Sequence, residues 1–599
     1  MIFFRPVDGA SPRGARWLCI GPRIPHNAFL LVGLIALGCI SAVQGFGQSL
    51  PPDETPSTIR GTVVNSVTHA PIARALVSSP DNRFAMLTDG EGHFEFALPQ
   101  YNPDVENTFS VEGQVQALRP YVSSGRITFW LMARKPGFLD DPTNRSQVQA
   151  SPGSELTISL MPEALIKGRV TLSTADAAVG IAVQLFNRQV QDGLPRWMPG
   201  TSVLTNSSGE FRFAELPPGS YKLVTHELLD NDPVTAVPGG QLYGFPPVYF
   251  PGVADFAAAG MIEVAAGQTV QADLSPTRQP YYAVKIPVAN GELNGGMNVS
   301  VQGQRGPGYS LGYNANDQKI EGLLPNGNYV VQAATSGPNS ATGIVSLRVA
   351  GSPVEGPTMS LVRDSSIPLN VKEEFAETKT NVSAGWSDGK RTFTLHGPRA
   401  YLQVRVEGAD DLEQPRGGSI RPPTGPSDES LVLENLAPGR YWLRLSSVRG
   451  YVASATSGDI DLLREPLVVG QGANSPIEIT IRDDTAEIEG TVTGLAATPP
   501  VTQGTASPEP SSPLAWVYCI PLPDSPGQIQ QQGVSADGKF NFQMMAPGNY
   551  RILAFANQQL NLPYRDAEAM RTYETKGQVI HLSAGQKAAV QVQIVSSSE

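Results

Sequence analysis

The sequence predicts an all-β protein that consists of about five tandem antiparallel β-sandwiches, each small and with about seven strands. The first observation is length: 599 residues are too many for a single core. The second is composition, because 60 Gly, 52 Pro and a charged fraction of only 16% favour short strands and tight turns over long helices. The third is a pattern of residues that recurs along the chain.

The repeat is clearest in "LTNSSGEFRFAELPPGSYKLV" (204–224) and "VSADGKFNFQMMAPGNYRILAF" (534–555). Both contain a polar turn with Gly, then Phe-x-Phe, then a Pro-Gly turn and Tyr. Side chains at i and i+2 of a strand point to the same face, so each Phe pair is predicted to fill one sandwich core. The flanking Gly, Asp and Pro residues suit hairpin turns. The matching positions are Gly209, Phe211, Phe213, Pro218, Gly219 and Tyr221, and Gly538, Phe540, Phe542, Pro547, Gly548 and Tyr550.

Parts of the same unit occur elsewhere. "TDGEGHFEFALPQ" (88–100) contains the first half, and "IEGLLPNGNYVVQA" (320–333) and "LVLENLAPGRYWLRL" (431–445) contain the second. "IRGTVV" (59–64), "IKGRVT" (166–171) and "IEGTVT" (488–493) read as first strands. These positions predict sandwiches at 48–162, 163–276, 277–363, 364–482 and 483–599, of which the third and fourth are divergent because they lack the first-strand Gly motif.

Taken together, these motifs resemble the carboxypeptidase regulatory-like domain, a transthyretin-like sandwich related to collagen-adhesin B-type repeats and to carbohydrate-binding-like folds. The resemblance is strong at 59–100, 166–224 and 486–555 and weaker at 282–362 and 366–481. It implies the accessory sandwich that accompanies zinc carboxypeptidases, and not the peptidase. The whole chain resembles exported proteins that consist of tandem copies of this unit.

Residues 1–47 are predicted to be a signal peptide. Arginines at 5, 13, 16 and 23 precede an apolar run at 28–43, which "QGFGQS" follows. The run is shorter than the roughly 20 residues that span a bilayer, so no membrane span is expected in the mature chain. Cleavage is predicted near Gly45 or Gly47; a downstream start, an uncleaved anchor and lipidation of Cys39 are the alternatives. The predicted location is periplasmic, outer-surface or extracellular.

The number of cysteines and the distribution of charge argue against a disulfide-stabilised protein and a nucleic-acid-binding protein. Cys519 is the one cysteine beyond the leader, so no internal disulfide is expected, and its apolar context "AWVYCIPL" predicts a buried, unreactive thiol. The net charge of −12 is spread along the chain without a basic stripe, which argues against nucleic acid as a partner.

Three patterns that suggest chemistry have simpler interpretations. The six His residues are scattered without zinc-ligand spacing, and His93 is expected to be a solvated hairpin residue. "GYSLG" (308–312) matches the GxSxG form at Ser310, but it lacks the helical context of a nucleophile elbow. "TDGEG" (88–92) offers too few carboxylates for calcium and is predicted to be a turn. We therefore expect no cofactor, no metal and no catalytic residues.

The candidate binding residues are aromatic. "GQLYGFPPVYFPG" (240–252) concentrates rings among Gly and Pro, and "GLPRWMPG" (193–200) adds another in the same unit. Such rings either form a platform on which a sugar stacks or fill the edge of the second sandwich and its junction with the third. The residues predicted for carbohydrate binding are Trp197, Tyr243, Phe245 and Tyr249.

Three functions remain open at this point. The first is a noncatalytic exported protein for binding, adhesion or spacing at the cell envelope, with a polysaccharide or an envelope protein as its partner. The second is a carbohydrate-binding protein that uses exposed aromatic loops. The third is a peptidase-associated enzyme, for which the sequence offers no convergent catalytic residues. Oligomeric state does not follow from any of these patterns.

Overall fold

A computed structural model of the chain describes residues 58–595 except 81–84, 98–107, 112–113, 118–121, 124–125, 128, 141–146, 151–154, 175–177, 231–239, 291–295, 338, 377–381, 410–417, 496–513, 524 and 535–536. The predicted signal peptide, the alternative lipidation site Cys39 and the Pro-rich stretch 497–513 lie outside the described residues. The described chain is nearly all β-strand, and its buried side chains form separate cores in five successive sandwiches. The predicted fold class is confirmed.

The first sandwich consists of two four-stranded sheets, β10-β12-β1-β4 and β11-β9-β2-β3, with two additional short hairpins, β5-β6 and β7-β8. Strands β1 and β4 alternate buried and exposed residues, which is the pattern of a sheet with one face on a core. The strands are β1 (Thr58–Asn65), β2 (Leu76–Ser78), β3 (Ala85–Leu87), β4 (His93–Ala97), β5 (Thr108–Val111), β6 (Gln114–Ala117), β7 (Val122–Ser123), β8 (Arg126–Ile127), β9 (Phe129–Arg134), β10 (Phe138–Asp140), β11 (Gln147–Ala150) and β12 (Glu155–Pro162).

The second sandwich pairs the sheets β16-β13-β21 and β15-β14-β17-β20. The short strands β18 and β19 follow it in this region of the chain but pair with the third sandwich. The strands are β13 (Ala164–Arg169), β14 (Ala182–Gln191), β15 (Leu194–Leu204), β16 (Glu210–Leu216), β17 (Gly219–Thr225), β18 (Leu228–Leu229), β19 (Leu242–Phe245), β20 (Ile262–Val264) and β21 (Thr269–Gln271).

The third sandwich pairs the sheet β18-β19-β22-β25-β24 with the sheet β23-β26-β27-β30, and β28 and β29 also pair with β22. Because β19 joins β22, a boundary at residue 276 divides one sheet, and the five domain boundaries stay predictions. The strands are β22 (Gln279–Ala289), β23 (Met297–Val301), β24 (Leu311–Asn314), β25 (Lys319–Pro325), β26 (Gly327–Thr335), β27 (Ala341–Val349), β28 (Val354–Glu355), β29 (Met359–Ser360) and β30 (Val362–Arg363).

The fourth sandwich pairs the sheets β35-β36-β31-β41-β38-β39 and β34-β37-β40, and a separate hairpin, β32-β33, precedes a single helical turn, α1. Its elements are β31 (Ser365–Glu374), β32 (Ala384–Ser387), β33 (Thr392–Leu395), α1 (Pro398–Tyr401), β34 (Leu402–Gly408), β35 (Ser419–Ile420), β36 (Leu431–Leu436), β37 (Gly439–Ser447), β38 (Tyr451–Ser457), β39 (Ile460–Asp461), β40 (Leu467–Val469) and β41 (Ile477–Arg482).

The fifth sandwich consists of the sheets β45-β42-β48 and β44-β43-β46-β47. A short 3-10 helix lies between β46 and β47. Cys519 lies in its core and is fully buried, so the prediction of a buried thiol is confirmed. The elements are β42 (Ala486–Thr493), β43 (Ala515–Pro521), β44 (Gln530–Val534), β45 (Lys539–Met545), β46 (Gly548–Phe555), the 3-10 helix (Ala569–Tyr573), β47 (Gln578–Leu582) and β48 (Lys587–Gln593).

All five sandwiches share a pairing that is not purely antiparallel. The first strands β1, β13, β22, β31 and β42 pair antiparallel with β4, β16, β25, β36 and β45, respectively. They also pair in parallel with the closing strands of their units, which are β12, β21, β28 and β29, β41 and β48. The divergent third and fourth units therefore have the same central arrangement as the three that carry the full motif.

The predicted Phe pairs lie in the cores as expected. The ring centroids are 5.8 Å apart for Phe94 and Phe96, 5.9 Å for Phe211 and Phe213 and 5.6 Å for Phe540 and Phe542. In each case the two rings are tilted or edge-on, which is a favourable geometry for aromatic pairs.

The first-strand glycine is required because the first Phe ring lies over it. A Cβ atom built on Gly61, Gly168 or Gly490 would lie within 2.6 Å of Cζ of Phe94, Phe211 or Phe540. No side chain larger than hydrogen fits beneath the ring without a shift of the neighbouring strand. The Gly and the Phe of the motif are thus two halves of one contact.

The Tyr of the motif closes the turn that precedes it. Its hydroxyl donates to the backbone carbonyl four residues earlier in every sandwich from the second to the fifth. These hydrogen bonds are Tyr221 to Pro217 at 2.5 Å, Tyr329 to Pro325 at 2.9 Å, Tyr441 to Ala437 at 2.8 Å and Tyr550 to Ala546 at 2.7 Å.

We expect Tyr550→Phe to destabilise the fifth sandwich by about 1 kcal/mol, because the carbonyl of Ala546 loses its donor in a buried site. In a chain with Cys19→Ser and Cys39→Ser, the labelling rate of Cys519 by a thiol reagent should rise about fivefold under native conditions. Tyr221→Phe, the same change in the second sandwich, should leave that rate unchanged. An unaltered rate in Tyr550→Phe would contradict the role of this hydroxyl.

Candidate functional site

The structure buries three of the four predicted aromatic residues. Trp197 is 8% exposed, Phe245 5% and Tyr249 1%, and only Tyr243 is half-buried. Phe245 belongs to the main core of the second sandwich. The expectation of exposed rings therefore fails for Phe245, which packs in that core, and for Trp197 and Tyr249, because a second layer of residues covers the sheet on which they pack. Their part in carbohydrate binding stays a prediction.

Trp197 and Tyr249 lie in a small outer core on the face of sheet β15-β14-β17-β20 that points away from the main core. Phe256 is its centre, with ring centroids 6.1 Å from Trp197, 5.7 Å from Tyr249 and 5.0 Å from Phe186. Since both faces of this sheet are covered, five consecutive residues of β17 are buried.

A buried lysine belongs to the same core. Nζ of Lys222 donates to the carbonyl of Phe256 at 2.9 Å and lies 4.6 Å from the ring centroid of Phe256 and 5.0 Å from that of Trp197. The aromatic faces and the carbonyl compensate for the loss of hydration around the ammonium group. The burial of Lys222 could not be predicted from its strand pattern, because a single Lys in a strand normally faces solvent.

The outer core also joins the second sandwich to the third. The hydroxyl of Tyr249 accepts a hydrogen bond from the backbone N–H of Arg305 and donates to its carbonyl, both at 2.7 Å. Nη1 of Arg305 donates to the carbonyl of Trp197 at 3.0 Å. The backbone N–H of Phe256 donates to the carbonyl of Gly303 at 3.0 Å. The aromatic residues thus hold a junction, which was the alternative interpretation of the sequence.

Tyr243 lies at the start of the third sandwich's sheet, where it pairs with Pro280. The guanidinium of Arg278 lies 4.2 Å from its ring centroid and forms an ion pair with Asp230 at 2.5 Å. One face of the Tyr243 ring is therefore covered by an arginine, and Tyr243 is not a member of the outer core.

A cleft of about 620 Å³ lies where the second, third and fourth sandwiches meet. Its floor is the outer face of sheet β23-β26-β27, where Ser300, Gln332 and Ile344 occupy one row across the three strands. Its walls come from β15 of the second sandwich and from the turn before β37 of the fourth. The lining side chains include Asn298, Ser300, Gln302, Gln304, Arg305, Tyr309, Gln332 and Thr342 from the third sandwich, Trp197 and Met198 from the second, and Arg440, Tyr441 and Gln471 from the fourth.

The lining combines amide and hydroxyl side chains with aliphatic side chains and two arginines, and aromatic rings form part of the walls. Amides and hydroxyls both donate and accept, so they suit a ligand rich in hydroxyl groups. Of the four residues predicted from the sequence, Trp197 lines the cleft. The floor residues were missed because outward-facing polar positions of a strand look the same whether they meet solvent or a neighbouring unit.

One edge of the cleft is closed by a contact between units that are far apart in the chain. The tip of the hairpin β14-β15 is an Asp192-Gly193 turn with positive φ at both residues, as a type I′ turn requires. Nη2 of Arg196 on this hairpin donates to the carbonyl of Gly408 in the fourth sandwich at 2.7 Å. The backbone N–H of Arg565 in the fifth sandwich donates to the carbonyl of Gly193 at 3.1 Å.

Two carboxyl groups face each other at this contact. The Glu407 carboxyl is within hydrogen-bonding reach of the Asp192 carboxyl, and its Oε2 lies 3.4 Å from Nε of Arg444. Burial and the contact with Asp192 raise the pKa of Glu407 to about 7. Arg405 lies 4.0 Å from Asp192. We call the residues Asp192, Arg196, Arg405, Glu407, Arg444, Tyr564 and Arg565 the hairpin clasp.

The other sequence patterns have the structures of ordinary loops. Ser310 directly precedes strand β24, and a nucleophile elbow requires a helix at that point. His93 is exposed and its Nδ1 forms a hydrogen bond with Thr62 at 2.9 Å. Asp89 accepts from the N–H groups of Glu91 and His93, as in a side-chain-capped turn. In the described residues, no group of three or more His, Cys, Asp or Glu is placed to hold a metal ion.

An aromatic pair that the sequence analysis did not single out lies on the hairpin β32-β33. Trp386 and Phe393 pair directly across the two strands, with nearly parallel rings and centroids 5.6 Å apart. The guanidinium of Arg391 lies 5.7 Å from each ring and is held by Asp388 at the turn. The sequence pattern that could have predicted this pair is "WSDGKRTF", in which two aromatic residues flank an Asp-Gly turn.

Neither a family model nor a curated protein matches the chain. Its resemblance to carboxypeptidase regulatory-like domains therefore stays a prediction. No helix among the described residues has the length and apolar character needed to cross a membrane.

Several solved structures are similar to parts of the chain at low identity. The minor pilin GBS52 of Streptococcus agalactiae is 13% identical, over 37% of this chain and 97% of that chain, with a TM-score of 0.18. The streptococcal ancillary pilin is 12% identical, over 51% and 99%, with a TM-score of 0.18. The TIE protein of Bacillus anthracis is 11% identical, over 51% of each chain, with a TM-score of 0.15, so the chain matches about half of that protein's length. These TM-scores are too low for the likeness to carry an argument about function.

Proposed function

We propose that this chain is an exported, noncatalytic protein of the cell envelope that binds a polysaccharide in the cleft between its second, third and fourth sandwiches. The observation that carries the proposal is the cleft itself, which three units build together and line with amides, hydroxyls and aromatic rings. Such a lining matches the hydroxyl groups and the apolar ring faces of a sugar.

The contacts between units favour binding over spacing. An extended spacer would keep non-neighbouring units apart, whereas here the hairpin β14-β15 contacts both the fourth and the fifth sandwich. These contacts fix the walls of the cleft relative to its floor. Preorganised walls lower the entropy cost of binding, which suits a binding protein.

Export and the five-domain division at 48–162, 163–276, 277–363, 364–482 and 483–599 are parts of the same proposal. The order of residues in the leader supports export, and the five separate cores support the division. Export is tested by expressing the chain with its own leader, fractionating the cells and sequencing the N-terminus of the protein. A cytoplasmic chain that retains its leader would contradict it.

The binding proposal is tested on a glycan and cell-wall array with the full chain. We expect retention of at least one polysaccharide, and Gln332→Ala should weaken it about fivefold because one polar contact on the floor is lost. Gln593→Ala, which removes an exposed strand glutamine from the fifth sandwich, is the matched control and should bind normally. Equal binding by Gln332→Ala, or no retained glycan on the array, would overturn the proposal.

A further inference from the structure

The hairpin clasp brings two carboxyl groups from different sandwiches together, beside several arginines. Asp192 is at the tip of β14-β15 in the second sandwich, and Glu407 is in β34 of the fourth. Oε1 of Glu407 is buried, and no N–H or O–H group of the described residues donates to it. A carboxyl in this position forms a hydrogen bond with a carboxylate only if one of the two holds a proton.

The remaining charged groups at the clasp do not titrate near neutral pH. Three arginines lie near the pair, Arg196 from the second sandwich and Arg405 and Arg444 from the fourth, whereas Arg565 of the fifth contacts the turn through its backbone N–H. An arginine stays protonated in proteins. Tyr564, which packs against Gly193, is neutral because burial raises its pKa to about 12. The Asp192–Glu407 pair is therefore the group whose charge changes.

We propose that the Asp192–Glu407 pair is a pH-sensitive clasp, which holds the hairpin β14-β15 against the fourth and fifth sandwiches when it binds a proton and releases the hairpin when it loses that proton. The geometry assigns this role because the two carboxyl groups belong to different sandwiches and come into contact where the hairpin docks. When the hairpin is released, Glu407 returns to water, where a glutamate ionises near pH 4.3.

The direction of the effect follows from proton linkage. The pKa of Glu407 is raised to about 7 in the docked state, so docking takes up a proton. The docked state is therefore favoured at acidic pH, and its advantage is lost as pH rises through about 7. Between pH 5.5 and 8.5 the docking equilibrium should weaken about thirtyfold.

The clasp also regulates the proposed binding site, and this part rests on the proposed function. Arg196 and Trp197 are adjacent on β15, and Glu407 and Gly408 are adjacent in β34. Trp197 and Gly408 both line the cleft, and Arg196 joins the second sandwich to the fourth there through its hydrogen bond to Gly408. Release of the hairpin frees one wall, so polysaccharide retention should fall in the same pH range.

The test measures the clasp without any ligand. The backbone N–H of Arg565 donates to Gly193 across the contact, so its hydrogen-exchange protection reports release of the hairpin. In the full chain, its protection factor, corrected for the intrinsic exchange rate, should fall about thirtyfold from pH 5.5 to 8.5. The N–H of Val492, which donates to Gly538 inside the fifth sandwich, is the internal reference and should not change.

Variants separate the clasp from general stability. Glu407→Gln keeps a neutral donor against Asp192, so the protection of Arg565 should stay high at both pH values. Asp192→Asn should reduce the pH response without abolishing it, because the burial of Glu407 remains, and Glu465→Gln, an exposed glutamate of the fourth sandwich, should retain all of it. A protection factor that is independent of pH in the natural chain would overturn the clasp, and so would a full response in Glu407→Gln.

The outcomes also distinguish the two proposals. A pH-dependent protection factor without any retained polysaccharide supports the clasp and refutes the binding function. Polysaccharide retention with a pH-independent protection factor supports the binding function and refutes the clasp. If both hold, retention by Glu407→Gln should be the same at pH 5.5 and 8.5.

Discussion

Replacing Gly490 with alanine is expected to destabilise the fifth sandwich by about 3 kcal/mol, near the upper end of what an added core methyl group costs. A Cβ atom at this position would lie 2.3 Å from Cζ of Phe540 and 2.7 Å from the carbonyl oxygen of Val590. The Phe540 ring cannot move away, because it packs on Phe542 inside the core. The parallel strand β48 on the other side is fixed by its own ladder of hydrogen bonds.

The labelling rate of the Cys519 thiol reports this loss of stability in the full chain. The thiol lies fully buried in the same core, and burial raises its pKa, so it reacts only when the fifth sandwich opens. In the Cys19→Ser, Cys39→Ser background, Gly490→Ala should speed its labelling about a hundredfold at constant pH. Gly168→Ala places the same defect in the second sandwich and should leave Cys519 protected. Slow labelling in Gly490→Ala would mean that the glycine is not needed beneath the ring.

The repeat could be predicted from the sequence because its contacts are local. Phe211 and Phe213 are two residues apart on one strand, and Tyr221 bonds to a carbonyl four residues earlier. Such short-range contacts leave a fixed spacing in the chain. The parallel pairing of β13 with β21 joins segments about 100 residues apart, and a strand's alternation does not record which neighbour it will pair with.

The aromatic site shows a second limit of sequence analysis. Rings among Gly and Pro residues indicate a loop with aromatic side chains, but the burial of Tyr249 depends on the backbone of Arg305 from the next sandwich. Similarly, the Asp192-Gly193 dipeptide indicates a hairpin turn, whereas its contact with Glu407 depends on how three units pack. These contacts are made between units, and a single sequence carries no periodicity that records them.

We expect Asp428→Ala to destabilise the fourth sandwich by about 3–5 kcal/mol, because it removes the counter-charge of a buried arginine. The side chain of Arg399 is 4% exposed and lies 3.7 Å from Asp428, and Arg421 lies 3.2 Å from the same carboxylate. Asp428 also accepts hydrogen bonds from Ser430 and Thr424, which fix the Pro-rich loop before β36. This loop is thus ordered around one carboxylate.

Hydrogen exchange of β36 and β37 in the full chain checks this prediction, and Asp388→Ala is the matched control. Asp388 also pairs with an arginine, Arg391, but the pair is exposed on the hairpin β32-β33, so its loss should have a much smaller effect on stability. The hydrogen bonds from Ser430 and Thr424 and the charge of Arg399 hold the pKa of Asp428 well below its usual range. Its contribution is therefore present at neutral pH, begins to fall as pH drops below about 4 and is lost completely only below the lowered pKa of the folded state, so the difference in stability between Asp428→Asn and the natural chain should shrink steadily in acid. A difference that persisted in acid would show that the loop depends on the shape of the side chain and not on its charge.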